Sequence, residues 1–108
     1  MRLKISIPVV VIAVAAACAS HGVAREVNGV KIVEDKVGLW ARATFAPDSA
    51  IKIALARVPG GTISGAELEE EGGRLIYSFE IKIAGKSGEE EVHVDARTGE
   101  VVKQEHES

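Results

Sequence analysis

The chain is poor in the residues on which several kinds of protein depend. It has one cysteine, Cys18, in 108 residues. A single thiol excludes an intramolecular disulfide framework and any zinc site built from several cysteines. Aromatic side chains amount to 4%, so aliphatic side chains must build most of the core. Positive charge is not in excess: 13 lysines and arginines stand against 16 aspartates and glutamates, a net charge of −3. That balance excludes the basic footprint of a nucleic-acid-binding protein. What is present is 46% hydrophobic and 27% charged residues, the proportions of a globular chain. The length suits one small domain.

The longest apolar run lies at the N-terminus. Arg2 and Lys4 precede an uncharged stretch from Ile5 to Ser20 that ends in small residues. A membrane-spanning helix needs roughly 18 or more apolar residues, and this core is shorter. Residues 1–24 therefore read as a cleaved secretory signal peptide. Ala17-Cys18-Ala19 and Gly22-Val23-Ala24 both offer small residues before a scissile bond. Ala15-Ala16-Ala17-Cys18 also resembles a bacterial lipobox, in which Cys18 would carry the lipid; that lipid is then the only membrane contact expected. Loss of residues 1–24 removes two basic residues and no acid, leaving 11 against 16 and a net charge of −5. An acidic surface disfavours anionic partners.

Residues 25–43 form an approach segment. Asn28-Gly29 is a turn signal between two short apolar runs, and Asp35 to Ala43 suits a short helix with Val37, Trp40 and Ala41 on one face. Trp40 is expected to plug the domain. Beyond it, Pro47 suits a first helical position and Asp48 the first turn. Ala50, Ile51, Ala54, Leu55 and Val58 recur on one face, and Pro59-Gly60-Gly61 stops the helix. The period then changes from about 3.6 to 2. Leu75, Tyr77, Phe79, Ile81 and Ile83 alternate with polar residues, as do Val92, Val94 and Ala96, and Glu100 to Lys103 closes the sheet. The expected fold is α+β: one amphipathic helix on a three- to four-stranded antiparallel meander, in two layers.

Few residues carry chemistry. Glu69-Glu70-Glu71 and Glu89-Glu90-Glu91 flank turns, and successive strand residues face opposite ways, so each run reads as a solvated strand end. His93 and Asp95 share one sheet face, and His106 is the third candidate for a metal or small-ligand site. Their spacing matches no specific motif, and a polar outer face is the plainer reading. Gly85-Lys86-Ser87 lacks the upstream glycine of a phosphate loop, since Glu80 stands there. There is no Gly-x-Ser-x-Gly elbow. No cofactor and no catalytic residue is expected.

Several segments carry a family resemblance in order and spacing. They are Ala50 to Leu55, Val58-Pro59-Gly60-Gly61, Ala66 to Glu69, Leu75 to Ile81, and Glu91 to Val102 with its Val94-Asp95-Ala96-Arg97-Thr98-Gly99-Glu100-Val101 hairpin. Over residues 44–105 the chain resembles a PepSY domain. The resemblance implies a helix on an antiparallel sheet, outside the cytoplasm, in a module that restrains peptidases or regulates proteolysis. It implies no catalytic residue. Pro59, Gly60, Tyr77, Asp95 and Gly99 occupy structural positions of the motif. Gly99 is expected to supply a positive φ, Asp95 to bond into that turn, and Tyr77 to bury its ring and keep its hydroxyl near the surface. No protease domain follows in these residues, so the expected partner is a separate secreted or periplasmic peptidase, met in trans. Two other classes compete: an envelope metal- or ligand-binding protein using His93, Asp95 and His106, and a structural envelope protein without a tight ligand.

Overall fold

The computed structural model describes residues 22–108. The leader reading, apart from its last residues, and Cys18 lie outside the described residues. The strands are β1 (Ala24–Val27), β2 (Val30–Glu34), β3 (Gly61–Glu71), β4 (Arg74–Ile83), β5 (Glu89–Asp95) and β6 (Val101–Glu107). A short 3₁₀ turn (Trp40–Arg42) and the helix α1 (Pro47–Arg57) lie between β2 and β3. Among the described residues, no helix is long and apolar enough to cross a membrane.

The α1 residues behave as their spacing demands. Pro47 opens the helix, Asp48 lies in its first turn, and Ala50, Ile51 and Ala54 are buried. Val58 caps the end and is also buried, while Leu55 is only half-buried. Small residues at 50 and 54 let the helix axis approach the sheet closely. Below it lie Leu68, Leu75, Tyr77, Phe79, Ile81, Val92 and Val94, all fully buried. Tyr77 is the centre of this layer. Its ring lies 6.3 Å from those of both Trp40 and Phe79, and its hydroxyl, expected near the surface, is instead buried with the rest of the side chain and donates to the Phe45 carbonyl at 2.7 Å. Burial pushes the Tyr77 hydroxyl up to about 12.

The sheet corrects the expected meander. It has six strands in sequential order, and it is mixed: β2 lies parallel to β3 through Val33–Glu67 and Glu34–Leu68, while every other pairing is antiparallel. The extra strands are the approach segment. Asn28 (φ 51°) and Gly29 (φ 80°) both take left-handed conformations, the requirement of a tight two-residue hairpin turn. Four- and five-residue strands are too short to be stable alone; β2 persists by pairing with β3. The crossing through the 3₁₀ turn and α1 brings the chain back parallel. The expected Val37–Trp40–Ala41 face is also corrected. Leu39 and Trp40 are the buried pair, and Val37 is exposed.

The β5–β6 turn depends on its glycine. Gly99 has φ 81°, and a Cβ there would run into the Phe45 ring. Left-handed backbone costs an L-residue about 1–2 kcal/mol. Gly99→Ala is expected to lower stability by at least that amount in a denaturant melt, and displacement of Phe45 adds to it.

Candidate functional site

The helix covers one face of the sheet. On the other face, register sets the side chains in rows across the strands. Glu67 faces Ser78, Ser78 faces His93, and His93 faces Lys103. In the next row Glu80 faces Glu91, and Glu91 faces Glu105. Like charges directly opposed across strands are destabilising; Lys103 offsets the Glu91–Glu105 pair, whereas Glu80 has no ion-pair partner among the described residues.

The floor of that face is covered. Ile76, Ser78 and His93 are buried there at 1%, 7% and 2% exposure. Long rim side chains enclose the histidine: Glu71, Arg74 and Lys103 line a hollow with it. His93 Nε2 lies 2.9 Å from Glu91 Oε2, and Nδ1 lies 3.7 Å from Glu71 Oε1. The His93 hydrogen bond holds the Glu91 carboxyl below its usual range, against the effect of burial. Glu107, hydrogen-bonded to Glu91, is shifted the opposite way. Glu91, Glu105 and Glu107 place carboxylate oxygens within 4.8 Å of one another.

Beside His93, Glu67, Glu69, Ser78, Glu80 and Glu91 line a groove of about 640 Å³ that reaches Lys31 on β2. Burial, reinforced by Glu67, pushes the Glu69 carboxyl up to about 7. Burial also raises Glu80, with Glu89, Glu67 and Glu91 adding to the effect. The face therefore carries more carboxylate than its own cations neutralise. Lys103 reaches Glu91 at 3.5 Å and Glu105 at 3.9 Å, whereas Glu67, Glu69 and Glu80 have no ion-pair partner among the described residues.

The three metal candidates are not brought together. Asp95 Oδ1 accepts from the Arg97 and Thr98 amides at 2.7 and 3.0 Å, and Oδ2 from Arg74 at 3.1 Å. Burial would raise its carboxyl, but those bonds outweigh it and hold it below the usual range. Asp95 is thus committed to its turn. His106 pairs with Glu90 on β5, three residues from His93 and so on the helix side of the sheet. There its Nδ1 lies 2.5 Å from Glu90 Oε2, beside a cavity of about 340 Å³ that Arg57, Val58 and Pro59 also line. Of the motif residues, Gly60 (φ 81°) follows Pro59 in the turn after α1.

The two acidic runs divide between the faces. Glu70 leaves its neighbours to pair with Arg42 at 2.8 Å and Lys36 at 3.5 Å. Glu69 and Glu71 stay on the open face. Residue types alone did not reveal the half-buried Glu69 or the Ser78 floor. One signal was available: Ile76 is apolar in the polar phase of β4, which marks an outer face that is partly covered.

A second buried acid lies at the β1–β2 end. Glu34 is 2% exposed. Its carboxylate accepts from the Val23 amide at 2.8 Å and the Trp40 amide at 3.0 Å. The Val23 amide is the largest influence holding its carboxyl below the usual range, burial opposes it, and the Trp40 amide adds to it. The Trp40 indole donates to the Val23 carbonyl at 2.8 Å, and Arg25 lies 4.4 Å over the ring.

A family model described as "Peptidase propeptide and YPEB domain" matches residues 46–105, from the residue before α1 into β6. No curated protein and no solved structure matches the chain.

Proposed function

The chain belongs to the PepSY family, and from that premise we propose that it is an exported, non-enzymatic module that binds a peptidase or another protein in trans and regulates it. The carrying observation is the family match itself, which takes in α1 and the sheet from β3 to Glu105. The geometry supports a binding role. The motif residues spend their polar groups on the fold, Asp95 on its turn and Tyr77 on the Phe45 carbonyl. On the acidic outer face Glu67, Glu69 and Glu80 have no ion-pair partner among the described residues and are available to a partner protein, while Glu91 is engaged by His93 and Lys103. The metal-binding alternative finds little support, because His106 and Asp95 are engaged away from His93.

The test uses protein purified from the cell envelope or medium of the source organism. At stoichiometric concentration it is expected to slow a secreted or periplasmic peptidase of that organism, or to retain one on an affinity column. Unchanged peptidase activity together with no captured peptidase overturns the reading.

A further inference from the structure

We propose that the groove between Glu67, Glu69, Glu80 and Glu91 receives a lysine or arginine side chain from an extended basic segment of the partner protein. The inference rests on the reading of the chain as a protein-binding module. Ser78 supplies the first reason. It is 7% exposed and lines the groove floor, and its hydroxyl has no hydrogen-bond partner among the described residues. A buried hydroxyl without a partner is costly, and a cationic N–H donor entering the groove supplies one. Charge supplies the second. Glu67, Glu69 and Glu80 lack ion pairs among the described residues, and Glu80 opposes Glu91 directly.

Dimensions decide between kinds of cation. The groove holds about 640 Å³, far more than a bare ion needs. Its four carboxylates are not a chelating set: among the described residues, the trio within 4.8 Å of one another is Glu91, Glu105 and Glu107. Neighbouring strands lie about 4.8 Å apart, so a ligand touching β3, β4 and β5 must be long. A lysine or arginine side chain meets both conditions.

The groove also couples to pH. Glu69 is pushed up to about 7. It is faced by Glu67 and Glu71 on its own strand, Glu80 on β4, Glu91 and His93 on β5, and Lys31 on β2. A bound cation displaces the proton that Glu69 otherwise holds, so binding tightens as pH rises through 7.

The experiment is calorimetric titration of the purified mature chain with a short peptide of alternating lysine and alanine, which puts its lysines on one side of an extended strand. Glu67→Gln/Glu69→Gln is expected to weaken binding roughly fivefold, the effect of two partly exposed charge pairs. The charge-matched pair Glu26→Gln/Glu100→Gln, outside the groove, changes it less than about twofold. Binding is tighter at pH 8 than at pH 6 in the parent, and the difference shrinks in the groove variant. Absence of binding, equal losses in the two variants, or displacement of the peptide by stoichiometric calcium overturns the proposal. Peptidase regulation that survives unchanged in the groove variant also overturns it, while leaving the proposed function standing.

A different observation, at the β1 end of the sheet, carries a second inference. The geometry points to removal of the leader at a bond ahead of Gly22. Val23 is engaged on both sides: its amide donates to Glu34, and its carbonyl accepts from the Glu34 amide at 3.1 Å and from the Trp40 indole. Gly22 packs against the Glu34 side chain so closely that no Cβ fits. Cleavage after Ala24 strips these partners from a buried carboxylate and a buried indole. Cleavage after Ala19, or before Cys18, keeps them. The intact mass of the protein isolated from cells is expected to place its first residue after the leader's apolar core and no later than Gly22. A chain beginning at Arg25, or one retaining the whole leader, overturns the assignment.

Discussion

Tyr77→Ala is expected to remove a large share of the stability of the domain. The side chain is fully buried, packs against Trp40 and Phe79 with ring centroids at 6.3 Å, and closes a hydrogen bond to Phe45. Truncating a buried aromatic costs about 3–5 kcal/mol. Small domains have about 5–15 kcal/mol in total, and among the described residues one α-helix covers the core. Tyr77→Phe separates packing from the hydroxyl. It keeps the ring and leaves the Phe45 carbonyl unpaired, a loss of about 1–3 kcal/mol. The pH dependence gives an independent check. The folded hydroxyl titrates at about 12 against 10.0 in the unfolded chain. Its contribution is complete below pH 10 and is lost as pH rises toward 12. Denaturant melts should show the parent losing stability in that window, with Tyr77→Phe losing less. An unchanged alkaline profile in the phenylalanine variant would show that the hydroxyl is not held as described.

The second large effect is expected at Glu34. Glu34→Ala leaves the Val23 and Trp40 amides without their acceptor, and each unsatisfied buried donor costs about 1–3 kcal/mol. For two donors a loss of about 2–6 kcal/mol follows, and a fall in melting temperature of at least about 8 °C for a domain of this size. Glu34→Gln keeps one acceptor oxygen and should lose less. The carboxyl lies below its ordinary 4.5 in the folded protein. Its contribution is therefore present above pH 4.5 and is lost as pH falls through the folded value. The parent should be acid-labile in that range, and Glu34→Gln should show a flatter acid limb. Equal acid limbs would remove Glu34 from the account.

Tyr77 and Glu34 show where reading the chain succeeds and where it stops. Tyr77 sits in an alternation long enough to name its face without a structure, and its burial followed. Glu34 gave no sign. A lone glutamate after an apolar run reads as the polar end of a strand, and its partners are 6 and 11 residues away. His93 shows the same limit on a smaller scale. Alternation put it on the outer face correctly, yet it is buried there because Glu71, Arg74 and Lys103 fold over it.

Position in the sequence was enough for α1, for the β4 and β5 alternation, for the Gly99 turn and for the family. Each depends on neighbours within a few residues, where helical and strand periods and turn conformations are set. The lone cysteine and the acidic balance likewise limited the chemistry before any fold was known. Only the tertiary structure decided that residues 24–34 join the sheet, that β2 runs parallel to β3, and that Glu67, Glu69, Ser78, Glu80 and Glu91 share one groove. The parallel β2–β3 pairing joins segments separated by the whole of α1, and the groove depends on the registers of β3, β4 and β5 taken together. Turn geometry and the buried pattern set register one pair at a time, and which side chains meet across three strands follows only once every pairing is in place.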